Sequence, residues 1–79
     1  MLYVYILQSI ADPAHFYIGV TEDLRKRFKK HNVGEVFHTA KFRPWRIKNY
    51  FAFFDREKAR AFERYLKSGS GRAFAKRHI

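Results

Sequence analysis

The chain has no cysteine, which excludes a disulfide scaffold, a cysteine-ligated zinc ribbon and a thiol nucleophile. It is also poor in acid: seven Asp and Glu stand against seventeen Lys and Arg, a formal charge of +10 on 79 residues. Long apolar runs are missing. The opening segment Met1 to Leu7 is too short to span a bilayer and has no basic leader ahead of it, so neither a membrane anchor nor a signal peptide is expected and a cytoplasmic location is the default. Length allows one domain, residues 1–79, with no second core and no internal repeat or linker.

What the chain does have is aromatic bulk. Nine Phe, five Tyr and one Trp each bury roughly 150–250 Å², enough to build a core in a domain too small to rely on area alone. The positive charge extends over nearly every segment after Thr21. A surplus of this size on so small a body points to a polyanionic partner, nucleic acid ahead of an anionic membrane.

Leu2 to Leu7 reads as a strand, with Leu2, Val4 and Ile6 on one face and Tyr3, Tyr5 and Leu7 on the other. After a turn at Asp12-Pro13, His15 to Val20 repeats the alternation, placing Phe16, Ile18 and Val20 opposite Tyr17 and Gly19. Paired as a hairpin with the aliphatic faces aligned, the two strands bring Tyr5 and Tyr17 out together on the other face. Gly19 leaves the backbone open beside them. Thr21 is the expected cap of a basic helix that Gly34 stops, with Glu22 and Asp23 in its first turn and Lys29, Lys30 and His31 in its last. Leu24 and Phe28 mark its inner stripe. Arg25, Lys26, Lys29 and Lys30 face outward, whereas Arg27 and His31 lie along the apolar side.

Val33 to Trp45 reads as loop with a single helical turn at most, and Arg46 to Phe54 as a third, aromatic strand. Asp55 caps a second helix ending near Ser68 and closed by Gly69, with Ala59, Phe62 and Leu66 inward and Glu63 beside them. Ser70 is the expected cap of a last helix, Gly71 to His78. The run Ser68 to Arg72 either cradles a phosphate on Arg72 and the helix N-terminus or simply breaks a helix.

Geometry thus singles out two inward charges, Arg27 and Glu63. They either pair with each other as an ion bridge or serve phosphodiester chemistry. In the second case Glu63 holds a divalent metal whose other positions are water and phosphate oxygens. Arg27 then stabilises charge on the phosphoryl group, and a tyrosine positions or deprotonates the attacking water.

The set Tyr3-Val4-Tyr5, Tyr17-Ile18-Gly19, Thr21 to Arg27, His31-Asn32 and the helix Glu57 to Gly69 resembles the GIY-YIG endonuclease family, in particular its small stand-alone bacterial members. The likeness covers essentially the whole chain. It implies an α+β fold, a small three-stranded antiparallel sheet flanked by helices, and DNA cleavage with a single Mg2+ or Mn2+. It places the catalytic set on Tyr5, Tyr17, Arg27, His31 and Glu63, with Glu63 the metal ligand, and leaves open which tyrosine is the base. DNA contacts are expected from Gly19, Arg25, Lys26, Lys29, Lys30 and Arg72. Tyr3 stands where the family name has glycine, and Val20 where some members carry an activating lysine. The asparagine that some members place beyond the glutamate helix has no counterpart. Because no added DNA-binding domain fits in this length, structure-selective cutting of branched or flapped DNA, or a targeting partner protein, is implied. A catalytically inactive nucleic-acid-binding module of the same fold is the rival reading.

Overall fold

In a computed structural model that describes residues 1–79, the apolar alternation of the opening segment becomes the middle strand of a three-stranded antiparallel sheet. The strands are β1 (Leu2–Ser9), β2 (Phe16–Thr21) and β3 (Trp45–Phe53), in the order β2-β1-β3. The helices are α1 (Leu24–Asn32), α2 (Arg56–Lys67) and α3 (Gly69–His78), and the loop before β3 contains one 3₁₀ turn, Ala40–Phe42. This is the expected α+β class, and no helix is long and apolar enough to cross a membrane.

The two faces of β1 feed two separate cores. Leu2, Val4 and Ile6 are buried against Ala59 and Leu66 of α2, with Ile18, Val20, Phe51, Phe53 and Phe62 closing the edges. On the reverse face Tyr5, Leu7 and Trp45 are buried under Leu24 and Phe28 of α1, with Tyr17, Phe42 and Ile47 around them. The register pairs Tyr5 with Gly19 and Ile6 with Ile18, so the alternation rule places each side chain on the face the sequence assigns it.

Three local expectations need correction. Thr21 does not cap α1. Asp23 does, its carboxylate accepting from Lys26 N, while the Thr21 hydroxyl is tied to the backbone of Asp23 itself. The chain therefore still runs as strand through Thr21, and Glu22 and Asp23 precede the helix. Ser70 does not cap α3 either. Ser68 closes α2 by donating to the Tyr65 carbonyl and caps α3 by accepting from Gly71 N at 3.1 Å, so one residue makes the corner and Gly69 opens α3 instead of ending α2. The third strand begins at Trp45 and ends at Phe53, one residue earlier than expected at each end.

The corner between α2 and α3 is tight because of Gly71. A Cβ there would sit 1.7 Å from the Tyr65 carbonyl oxygen, a backbone atom that cannot swing aside. Gly71→Ala is therefore expected to force α3 off α2 and to destabilise the protein by about 1–3 kcal/mol, read as a lower denaturation midpoint. An unchanged midpoint would mean that α3 contributes little to the fold.

Candidate active site

Tyr5 and Tyr17 do emerge side by side, ring centroids 6.3 Å apart, because β1 and β2 pair in the register that aligns their aliphatic faces. Gly19 makes this possible. A Cβ at that position would lie 2.5 Å from both Cζ and Oη of Tyr5, so the tyrosine ring occupies the space over the glycine, and Gly19 is buried. A strand glycine here serves close approach rather than a turn.

α1 brings His31 onto this pair. His31 is fully buried, its Nε2 lies 2.8 Å from the Tyr5 hydroxyl, and its ring is 5.0 Å from that of Tyr17. Its Nδ1 lies 2.7 Å from Thr39 Oγ1, and that hydroxyl donates its only proton to the Val36 carbonyl. Thr39 Oγ1 is then an acceptor for His31 Nδ1–H. In a neutral imidazole Nε2 is left as acceptor, so Tyr5 donates its proton to His31. Burial, together with the neighbouring Arg27, pushes His31 down to about 4 from 6.5, so it is neutral at physiological pH. Burial likewise raises the Tyr5 phenol above its ordinary value; the Arg27 guanidinium beside it works against that shift, while Tyr17 and Glu63 add to it. Tyr17 and His31 thus meet Tyr5 from β2 and α1, and the charges of Arg27 and Glu63 are near enough to act on its phenol.

The ion bridge between Arg27 and Glu63 is not formed. The ion pairs of the protein join His15 to Asp12, Arg56 to Glu22 and Lys67 to Glu63. Arg27, half-buried, belongs to none of them. A guanidinium withdrawn from water without a carboxylate is costly unless an anion joins it, and a phosphodiester is such an anion. The Glu63 side chain is 19% exposed and receives Lys67 Nζ at 3.0 Å on Oε2. Oε1 makes no bond, and no group of three or more His, Cys, Asp or Glu converges here or elsewhere. One partly exposed carboxylate with a free oxygen fits an oxygen-seeking ion such as Mg2+ that keeps most of its own water. It does not fit a metal that needs a full protein cage.

The outer cations behave less uniformly than the helical spacing predicts. Arg25, Lys26 and Lys29 are exposed, whereas Lys30 is half-buried. Arg72 is exposed on α3, away from α1. Trp45 is buried and Phe42 half-buried, both in the core, whereas Tyr50 on β3 is 57% exposed. Asn32 clamps Trp45, accepting from its N–H and donating to its carbonyl, a structural role.

Two residues beside the site are not among those singled out from the sequence. Thr39 sits in the loop, where its place beside His31 depends on tertiary folding, although a threonine eight residues past an inward histidine is a signal worth testing. Lys67 is visible as the i+4 partner of Glu63 on α2.

His31 also yields a pH prediction. Its folded proton affinity is depressed, so between pH 6.5 and about 4 the unfolded chain binds the extra proton. Stability should be intact above this window and fall as pH drops through it, by up to about 1.4 kcal/mol per pH unit. Denaturant midpoints measured from pH 7 to 4 check this; His31→Gln, which cannot titrate, should give a flatter profile. Equal slopes in both proteins would contradict the assignment.

The family described as the GIY-YIG catalytic domain matches residues 1–77. A protein of Candida dubliniensis named structure-specific endonuclease subunit SLX1 is 39% identical over 83 residues, covering 96% of this chain and 28% of the relative. Its namesake in Scheffersomyces stipitis is 46% identical over 50 residues, covering 56% of this chain and 15% of the relative. The chain thus spans well under a third of the length of these relatives. The match over residues 1–77, with a relative 39% identical across nearly the whole chain, assigns this chain to the GIY-YIG catalytic domain family.

Proposed function

We propose that this protein is a metal-dependent DNA endonuclease that hydrolyses phosphodiester bonds, with one divalent metal, Mg2+ or Mn2+, on Glu63. The observation that carries this reading is Arg27: a half-buried guanidinium beside the Tyr5 phenol, with no carboxylate partner. A phosphoryl group is the anion that fits it. Arg27 binds the nonbridging oxygens and stabilises the charge that builds there as the attacking oxygen adds to phosphorus. When bound, the metal supplies Lewis-acid stabilisation of the phosphate and the leaving oxygen. Glu63 holds it through the carboxylate oxygen that Lys67 leaves free.

Of the two tyrosines, Tyr17 is the better candidate to meet the attacking water. It is half-buried and its hydroxyl has no partner within the protein, whereas Tyr5 is 1% exposed and its proton is committed to His31. Tyr17 orients the water through its free hydroxyl, and the water gives up its proton as it attacks. The water oxygen bonds to phosphorus, the bond to the leaving sugar oxygen breaks, and that oxygen is protonated from solvent. Tyr5 and His31 form the dry wall against which Arg27 and Tyr17 are set.

DNA is the proposed substrate on charge, and a branched form on the names of the relatives, which are described as subunits of structure-specific endonucleases. By the same names, a protein partner for targeting is part of the proposal.

Cleavage should be assayed on duplex, nicked, flapped and junction DNA with Mg2+ or Mn2+. Glu63→Gln, Arg27→Ala and Tyr17→Phe should each lower the rate by about 10²–10⁴-fold, with thermal midpoints close to the unmodified protein. Tyr5→Phe should instead lower the midpoint, because it strands a buried His31 acceptor at a cost of about 1–3 kcal/mol. Normal cutting by Glu63→Gln and Arg27→Ala would sink the site assignment. DNA binding without cleavage under any divalent metal would support the non-catalytic module.

A further inference from the structure

Beside the tyrosine cluster lies a groove of about 880 Å³, bounded by the start of β2, the end of α2 and one side of α3. This volume is within the roughly 300–1,000 Å³ of small-ligand sites. Its floor is apolar, made of Ile6, Phe16, Ile18, Leu66 and Ala75. Its rim is cationic, with Lys48, Lys67, Arg72 and Lys76, and no Asp or Glu lines it.

Each rim cation arrives by an identifiable device. Arg72 and Lys76 are four residues apart on α3, hence on one face of the helix. Lys48 is the unpaired residue of a bulge: Ile6 pairs with Asn49 and Leu7 with Ile47, so Lys48 has no partner on β1. Bulges re-aim side chains at the cost of local pairing, and this one brings Lys48 to the groove with its Nζ 6.0 Å from the centre of the Phe16 ring. Lys48 also donates to the Ile79 carbonyl at 2.8 Å, which steadies it. Phe16 itself is 51% exposed, an aromatic left in water inside a ring of positive charge. Two residues belong to groove and active site alike: Tyr17 lines both, and Lys67 reaches Glu63.

An aromatic platform within a cationic groove suits unpaired nucleic acid, whose bases stack on the ring while phosphates meet the lysines and arginines. A duplex would place its sugar-phosphate exterior over this apolar floor and leave Phe16 without a partner, because its base faces are already stacked. We propose that the groove binds an unpaired single strand, the open arm of a branched DNA, with a base on Phe16 and phosphates on Arg72, Lys76 and Lys48. The proposal rests on the reading of the adjoining site as one that acts on DNA. It gives that site a structural selector, since a strand lying in the groove continues past Lys67 and Tyr17 to the catalytic cluster.

The test is binding by fluorescence anisotropy, without divalent metal, of labelled oligo(dT) and of a duplex of equal length over a range of salt. Phe16→Ala should lower the ratio of single-strand to duplex affinity by about five- to a hundredfold, the effect of losing one stacked base. The double variant Arg72→Ala/Lys76→Ala should reduce the salt slope on oligo(dT) by about 1.4, or about 0.7 per phosphate. A ratio unchanged by Phe16→Ala would overturn the proposal, as would an acidic peptide that displaces oligo(dT) and loses its own affinity in that variant. Because no cleavage is involved, the two readings separate. A chain that cuts nothing but shows the Phe16-dependent ratio keeps the groove and loses the nuclease; one that cuts DNA but lacks the ratio does the reverse.

Discussion

The hydrogen bond from Tyr5 to His31 joins the central strand to α1 across a space that water does not reach. Two polar side chains are buried there, and each must be satisfied by the other or by the protein. Tyr5 gives its proton to Nε2, Nδ1 gives its proton to Thr39, and Thr39 passes its own to Val36. The Thr39 carbonyl in turn accepts from the Trp45 indole at 2.9 Å, which ties the loop to the first residue of β3. Removing any one member leaves a buried polar atom unpaired, so strand, helix and loop hold their places together.

This network limits what the site can do. In the proposed mechanism this makes Tyr5 and His31 walls more than reagents, and the groups left with unused bonding capacity are Tyr17, Arg27 and Glu63. A wall of this kind matters for catalysis because it fixes the guanidinium and the second phenol without consuming their donors and acceptors. The sheet contributes equally. With order β2-β1-β3, α1 covers one face and α2 packs the other, and β2 is the thin edge between Arg27 and Glu63. Gly19 makes that edge thinner where Tyr5 needs room.

Much of this was legible in the sequence wherever one periodicity governed a segment. Alternation over Leu2 to Leu7 and Phe16 to Val20 assigns both tyrosines to the same face, and the helical stripe through Leu24 and Phe28 turns Arg27 and His31 inward. Glu63 follows from the stripe of Ala59, Phe62 and Leu66. Capping was not legible, for a physical reason. Thr21 and Asp23, like Ser68 and Ser70, are equally competent capping side chains two residues apart, and the choice depends on where the strand stops or where α3 meets Tyr65. Thr39 and the bulge at Lys48 were hidden as well, because each is defined by a partner distant in sequence: His31 for the first, β1 for the second. The groove follows from both helices and the bulge together, so no single stretch announces it.

The scarcity of acid, read first as a sign of a polyanionic partner, takes a more specific meaning from where the seven carboxylates are. Asp23 and Asp55 cap α1 and α2, while Asp12, Glu22 and Glu63 are in ion pairs. Only Glu35 and Glu57 remain, and neither lines the groove or meets Arg27. The acids are thus spent on helix ends and on three exposed or partly exposed pairs, and apart from Lys67 the cations of the site and the groove pair with no Asp or Glu. Self-repulsion of a +10 chain opposes compaction, a standing cost that a neutralising ligand would remove. The pair between Lys67 and Glu63 is consistent with this arrangement. Lys67 is 52% exposed, and a bridge of that kind contributes little on its own, so it orients the carboxylate without locking it in place.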